Sequence, residues 1–400
     1  MRVLYLQACP DKGGSQTSLR NLITSFPPGE VEPLVCCPAG SAHGVFESAG
    51  IPVRAVEGIP TFTNGRTVEM SGLGLWRLTR AFKRGYEGAF SGIIDSFKPD
   101  IVHLNDCNLL GPLKLAKSKE KKVVVHARFT LAETPRWAWR HQTGVLRRYA
   151  DRVVAIDGSV LRTLGDQPNA IVVYNPLAPG AAPVGTEEPA ARREPYSGSN
   201  PMRVGFVSLF YPYKGVYELL EAARALKGRE DVRFLLAGAN GRPPSFYRSP
   251  FGRACDLLGV APDVERRMRT LAARWNLDNV DFLGFVDDAH SFMKSLDVLV
   301  FPSRLDAVPR SVYEAGLFGV PSIVAMEHRV EDIVRDGHNG LIIPERNPKA
   351  LAEGILRLKD DRDLLARLGE NAREQFVAQF SGERSARAGM EVCHLASQMA

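Results

Sequence analysis

Short, near-continuous apolar runs alternate with longer amphipathic stretches along the whole chain. In the first half these runs are RVLYLQA, LVCC, VRAV, DIVHL, KVVVH, RVVAI and IVVY. Runs that are apolar at almost every position belong to strands covered on both faces, as in a parallel sheet flanked by helices. Between Ala178 and Pro201 the pattern lapses into APGAAPVGTEEPAARREPYSGSNP, which has neither helical nor strand period and is rich in Pro, Gly and Ala, the signature of a linker. Alternation resumes with RVGFVS, VRFLLAG, NVDFLG, DVLVFPS, PSIVA and LIIP, separated by helical segments such as VYELLEAARALKG and PKALAEGILRLKD. The predicted architecture is α/β: residues 1–180 and 202–380 each form a Rossmann-like, doubly wound parallel-sheet domain, 181–201 join them, and 381–400 form a helix that packs back on the N-terminal domain. Two such domains facing each other leave a cleft at the carboxyl ends of both sheets, where open α/β sheets bind ligands.

Length and composition narrow the class without choosing a chemistry. At 400 residues the chain exceeds what one core organises, and 44% hydrophobic with 24% charged residues excludes disordered, collagen-like and coiled-coil chains. The apolar part of the opening MRVLYLQACPDKGG is too short for a secretory leader and runs into Asp11 and Lys12, so it reads as a first buried strand. No apolar run reaches the roughly 20 residues needed to span a bilayer. Six cysteines without CxxC spacing (Cys9, Cys36, Cys37, Cys107, Cys255, Cys393) imply reduced thiols and a cytoplasmic setting, with the inner membrane face as a peripheral site. The net charge of +6 suits an anionic partner of any kind, whether nucleic acid, acidic leaflet or phosphorylated substrate.

The candidate chemistry is densest in DVLVFPSRLDAVPRSVYEAGLFGVPSIVA, from Asp297 to Ala325. A buried strand ends at Pro302, and Pro309 suits the start of a helix. Asp306 then stands in the loop before that helix and Glu314 about two turns into it, so both carboxylates can face the strand ends. The plainer alternative has Asp306 capping the helix and Glu314 paired with Arg310 one turn away. A second block, GFVSLFYPYKGVYELLEAARAL, puts Lys214 and Gly215 between a strand and a helix, where a cation would stabilise a departing diphosphate. Gly13 and Gly14 join the first strand to a helix and offer backbone N–H groups at its start. The fingerprint GxGxxG is missing, and Cys36 and Cys37 end the second strand where an acidic ribose contact would stand, which argues against a dehydrogenase. His126 ends the strand KVVVH, and His103 and Asp106 lie at the end of another, in DIVHLNDCN. Neither the histidines nor the cysteines have metal-ligand spacing.

The Asp297–Ala325 block resembles family 4 of the retaining GT-B glycosyltransferases, whose pattern is PSxxE, seven residues, then a second Glu followed by Ala and a GxP turn. Here PSRLD, Glu314, Ala315 and GVP occupy those places. The resemblance runs upstream through GFVDDAHSFMKSLDVLVFPS and downstream through HRVEDIVRDGHNGLIIPERNPKALAEGI, covering the second domain. It implies the GT-B architecture and transfer of a sugar from a nucleotide diphosphate sugar to an acceptor in glycoconjugate synthesis. Retention is implied by front-side attack, in which the departing diphosphate helps take the acceptor's proton, with no cofactor and no metal. It places Asp306, Lys214 and His126 at the reaction and Glu314 on the donor ribose. Around the donor it sets Gly13, Gly14, Ser208, Arg304, Val308, Pro309, Arg310, Phe285 and Val286.

Three departures from the family fall where the donor would be read. Asp306 stands for the usual Glu, Ala307-Val308-Pro309 for the frequent GFG, and Ser208 where an Arg is common. Asp is one methylene shorter and Pro309 has no N–H, so the identity of the sugar does not carry over. Arg304 or Arg310 would then be the second cation beside Lys214. Two rival readings remain open: a GT-B nucleotide-sugar epimerase, and a catalytically silent sugar-nucleotide-binding protein. A nucleic-acid partner is not expected, because no aromatic platform or known motif accompanies the charge.

Two basic, aromatic stretches, LWRLTRAFKRGYEGAF at 75–90 and PRWAWRHQTGVLRRYA at 135–150, suit an anionic leaflet, the alternative being a solvated basic face. Residues 239–277 are longer than the corresponding connection of the family and are expected to form an added loop, over the cleft or at a subunit contact.

Overall fold

The computed structural model describes residues 1–62, 85–176, 200–259, 261–286, 288–304, 308–328, 330–380 and 382–398. The chain forms two compact units, Met1–Ala182 together with Gln379–Ala400, and Pro183–Ala378.

In chain order the first unit holds β1 (Arg2–Leu6), α1 (Gly14–Ser25), β2 (Glu32–Cys37), α2 (Ala42–Glu47), β3 (Val53–Ala55), α3 (Glu87–Phe97) and β4 (Ile101–Leu104). It continues with α4 (Leu110–Ser118), β5 (Lys122–Ala127), α5 (Arg136–Tyr149), β6 (Arg152–Ala155), α6 (Gly158–Thr163) and β7 (Ala170–Val172). Its sheet is parallel throughout, in the order β3-β2-β1-β4-β5-β6-β7. The apolar runs account for this: Val3 to Leu6 and Val123 to Val125 are buried on both sheet faces, which only a strand with helices on either side achieves.

The second unit holds β8 (Met202–Val207), α7 (Val216–Ala225), β9 (Val232–Ala237), α8 (Pro244–Arg248), α9 (Pro250–Leu257), α10 (Val264–Arg274) and β10 (Val280–Gly284). After these come α11 (Ala289–Lys294), β11 (Val298–Phe301), α12 (Arg310–Leu317), β12 (Ser322–Ala325), β13 (Gly340–Ile343), α13 (Pro348–Asp360) and α14 (Arg362–Gln379). The order is β10-β9-β8-β11-β12-β13, again parallel. Residues 239–277, expected as an added loop, fold instead into the helices α8 to α10. Local chemistry starts these helices: the Ser249 hydroxyl accepts from the Gly252 N–H at 2.9 Å at the head of α9, and Asp263 accepts from the Arg266 N–H at 3.1 Å at the head of α10.

The final helix, α15 (Gly382–Gln398), belongs to the first unit and lies against α1, β4 and β5. Gly389 permits the approach, since a Cβ there would stand 2.9 Å from the Phe26 ring. In the second unit Gly316 lets α12 sit on α14, where a Cβ would meet the Phe376 ring at 2.2 Å. In both sheets the strand order reverses beside the first strand, between β1 and β4 and between β8 and β11. Such a reversal opens a crevice beyond the strand ends, where ligands of this architecture bind.

Candidate functional site

In the second unit the loops that leave β8 and β11 are tied together at this switch point. Gly215, with φ of +76°, sits so close to the loop after β11 that a Cβ would lie 1.8 Å from the Pro302 carbonyl oxygen. Only glycine meets both demands. The Arg304 N–H donates to the Tyr213 carbonyl at 2.9 Å, and the Ser303 hydroxyl donates to the same oxygen at 3.2 Å. Lys214 is held between them, its ammonium 5.0 Å from the Phe301 ring centre and 5.5 Å from that of Tyr213. Burial lowers this ammonium from 10.5 to about 8. Among the described residues no carboxylate forms an ion pair with it.

Arg304, expected as a second cation, is already engaged. Its Nε and Nη2 donate to Oε1 of Glu218 at 3.0 and 2.8 Å, and Glu218 is buried on α7. The sequence reading missed Glu218 because it lies 86 residues from its partner; an acid on the buried face of a helix was the available signal. Arg310 pairs with Glu314 one turn along α12 through Oε1 of the carboxylate. The plainer sequence alternative for that pair is therefore present in the folded chain. Pro309 is the N-cap residue of α12, which has no capping side chain among the described residues, and Val308 beside it is buried. Asp306 lies outside the described residues.

The remaining predicted donor residues of this unit share its carboxyl edge. Ser208 follows β8 directly, and Gly238, at the end of β9, is packed against its carbonyl, where a Cβ would lie 2.0 Å away. Phe285 and Val286 follow β10, with the Phe285 ring 71% exposed. An open depression of about 580 Å³ lies at the ends of β12 and β13, lined by Met326, Glu327, Ile343, Pro344, Glu345 and Arg346. None of the predicted site residues lines it.

The first unit has its own polar chain at the switch point. Gln7, after β1, accepts from the Asn105 amide at 2.8 Å, and Asn105, after β4, accepts from Arg128 Nε at 2.7 Å. Arg128 also donates to Asn175 at 2.6 Å. This arginine, two residues beyond His126, escaped the sequence reading, although a base just past a buried strand end is the usual signal. Asp106 is bonded to the Cys107 N–H at 2.8 Å, and burial raises its carboxyl to about 7. Gly13 and Gly14 stand at the head of α1, which lacks both a capping side chain and an acid in its first turn. A Cβ on Gly14 would meet nothing within 4 Å, whereas one on Gly13 would stand 3.1 Å from Gln16 Oε1.

His126, expected beside the sugar, lies on β5. Its side chain shares a face with Val124, the face that α15 covers, and only 1% of it is exposed. It lines a small internal cavity with His103, Leu22, Phe26, Gly389 and Cys393. Burial holds its imidazole well below the usual histidine range, and Arg128 adds to the effect. His103, 5.5 Å away between ring centres, is lowered to about 3 by burial for the same reason. Both rings are buried, and burial keeps both neutral.

Of the two basic, aromatic stretches, residues 75–84 lie outside the described residues, and Tyr86 and Phe90 beyond them are buried. The second stretch is α5, which turns Arg136, Trp137, Arg140, Arg147 and Arg148 to solvent. Among the described residues no helix is long and apolar enough to cross a membrane, and no three His, Cys, Asp or Glu side chains form a metal set.

Two parallel-sheet units of this kind, each with a switch point at its carboxyl edge, define the GT-B class. Solved structures of that class agree over nearly the whole chain. HepE of Anabaena in complex with UDP superimposes with a TM-score of 0.72 at 20% identity, covering 98% of this chain and 99% of that one. Sucrose-phosphate synthase of Thermosynechococcus elongatus does so with a TM-score of 0.72 at 17% identity, covering 98% and 97%. Residues 188–375 match the family Glycosyl transferases group 1, and residues 13–182 match the Glycosyl transferase 4-like domain. The chain belongs to the glycosyltransferases built from these two domains. An uncharacterised glycosyltransferase of Methanocaldococcus jannaschii is 30% identical over 181 residues, 45% of this chain and 44% of that protein. The alpha-D-kanosaminyltransferase of Streptomyces kanamyceticus is 27% identical over 197 residues, 48% and 45% of the two chains. The chain thus spans about half the length of the curated relatives it matches.

Proposed function

We propose that the protein transfers a sugar from a nucleoside diphosphate sugar to an acceptor, with retention at the anomeric carbon, in the synthesis of a polysaccharide or other glycoconjugate. The observation that carries this reading is Lys214: a desolvated ammonium at the switch point of the second unit, with no carboxylate partner among the described residues. Such a charge fits a diphosphate, and stabilises it most as negative charge grows on departure. Glu314 accepts the donor's ribose hydroxyls; Arg310 occupies only Oε1, which leaves the second carboxylate oxygen for that contact. Backbone N–H groups at the head of α12 reach the sugar or diphosphate. Asp306 contacts the transferred sugar, and the departing diphosphate takes the acceptor's proton. The reading needs no cofactor beyond the donor. HepE, of the same fold, is solved with UDP and with UDP-glucose, which supports a nucleotide sugar as donor. The basic face of α5 supports a peripheral position at an anionic leaflet.

A thermal-shift panel of UDP, GDP, ADP and TDP sugars tests the reading, since a ligand of the folded state raises its stability. One nucleotide is expected to raise the unfolding midpoint of the wild type and not of Lys214→Ala. An unresponsive protein refutes a sugar-nucleotide site. Conversion of donor alone into an altered nucleotide sugar refutes transfer in favour of epimerisation.

A further inference from the structure

The helix α9 is built inside out. Its inward side carries Gly252 and Asp256. A Cβ on Gly252 would lie 1.8 Å from the Phe246 carbonyl oxygen of α8, so only glycine lets the two helices meet. Asp256 is 8% exposed and is bound by Arg266 and Arg267, the latter at 2.6 Å, while accepting the Asp263 N–H at 2.9 Å. With the polar side used as the anchor, the solvent arc is left to the apolar residues. Phe251 is 72% exposed, Leu257 88% and Leu258 71%, and Ala254 lies between them on the same arc.

Three side chains of this size turned to water forgo the burial that would normally stabilise them. A patch of this kind marks an interaction surface. The charge around it is one-sided: residues 241–259 contain the bases Arg242, Arg248 and Arg253, and Asp256 is their sole acid. All three arginines are exposed, and among the described residues none has an ion-pair partner. Asp256 is turned inward and compensated, so the outward face is cationic as well as apolar.

We propose that the outward face of α8 and α9 docks on a bilayer leaflet that contains anionic lipid, with Phe251, Leu257 and Leu258 entering the headgroup boundary and Arg242, Arg248 and Arg253 on lipid phosphates. Charge complementarity selects this occupant. A second copy of the chain would set the three arginines against three more, whereas an anionic leaflet neutralises them and accepts the apolar side chains together. The surface lies on the second unit and is distinct from the basic face of α5 on the first. It does not rest on the transfer reading.

The test is flotation of the full chain with vesicles of phosphatidylcholine, alone or mixed with phosphatidylglycerol. The wild type is expected to favour the mixed vesicles at least about ten-fold, since each base near an anionic surface is worth about five-fold. Arg248→Gln and Arg253→Gln each remove about that factor. The triple variant Phe251→Ser, Leu257→Ser, Leu258→Ser is expected to lose binding while keeping its unfolding midpoint, because the replaced side chains are exposed. Equal recovery from neutral and mixed vesicles, or wild-type binding by the triple variant, overturns the proposal. So does loss of binding only on Arg140→Gln with Arg148→Gln, which assigns the contact to α5. A wild-type dimer in vesicle-free solution that the triple variant dissolves gives the face to a second copy.

Discussion

Lys214→Met is expected to make the ligand-free protein more stable while abolishing transfer. In the folded chain burial against Phe301 and Tyr213 lowers the ammonium from 10.5 to about 8. At about 1.36 kcal/mol per decade, the drop corresponds to at most about 3 kcal/mol of unfavourable free energy at neutral pH. The side chain keeps part of its surface in water, so about 1–3 kcal/mol is expected in practice. Methionine fills a similar volume and needs no hydration. The direction with pH follows from proton counts. Between about 8 and 10.5 the unfolded chain still holds a proton that the folded chain has released, so the lysine's contribution to stability rises with pH across that window. The gap in favour of the variant is therefore full below pH of about 8 and closes as pH approaches 10.5. Urea denaturation of both proteins at about pH 7 and about pH 10 measures it, and the difference cancels the titration of the buried thiols and phenols common to both. A nucleoside diphosphate that binds at Lys214 should stabilise the wild type and not the variant. A variant less stable than the wild type near neutrality, or a gap that alkaline pH leaves unchanged, refutes the desolvated ammonium.

Three further outcomes follow from the same geometry. Glu218→Gln removes the buried charge that holds Arg304 and is expected to destabilise the fold by about 2–4 kcal/mol in urea denaturation, with a loss of kcat/KM from loosened switch-point loops. Gly215→Ala must relieve both a φ of +76° and a 1.8 Å approach to the Pro302 carbonyl; at least a ten-fold fall in kcat is expected, and a fully active variant would detach this turn from the site. Gly316→Ala places a methyl 2.2 Å from the Phe376 ring, which should cost about 1–3 kcal/mol; calorimetry should show Phe376→Leu in the same chain recovering part of it.

The sequence alone determined that the chain is two α/β units with parallel sheets. Runs such as VLYL and the VVV of Val123–Val125 are apolar at every position, and that pattern has no stable home except between two layers of helix. It also picked out Lys214-Gly215 and the Pro302–Glu314 block, each between a strand and a helix; that β8 and β11 lie side by side at the reversal of strand order was decided by the fold. What it left undecided were matters of facing and partnership. In a strand covered on both sides, His126 reads the same whether its ring meets ligand or core; α15, arriving from more than 250 residues away, buries it. Arg304 reads as a free cation until Glu218, on the helix α7, takes its charge. The helix α9 shows the same limit most clearly. Its apolar arc would be assigned to the interior by pattern, yet Asp256 and Gly252 find better partners there, in two arginines and a close helix crossing. Periodicity says which residues share a face, and only the surrounding packing decides which way that face turns.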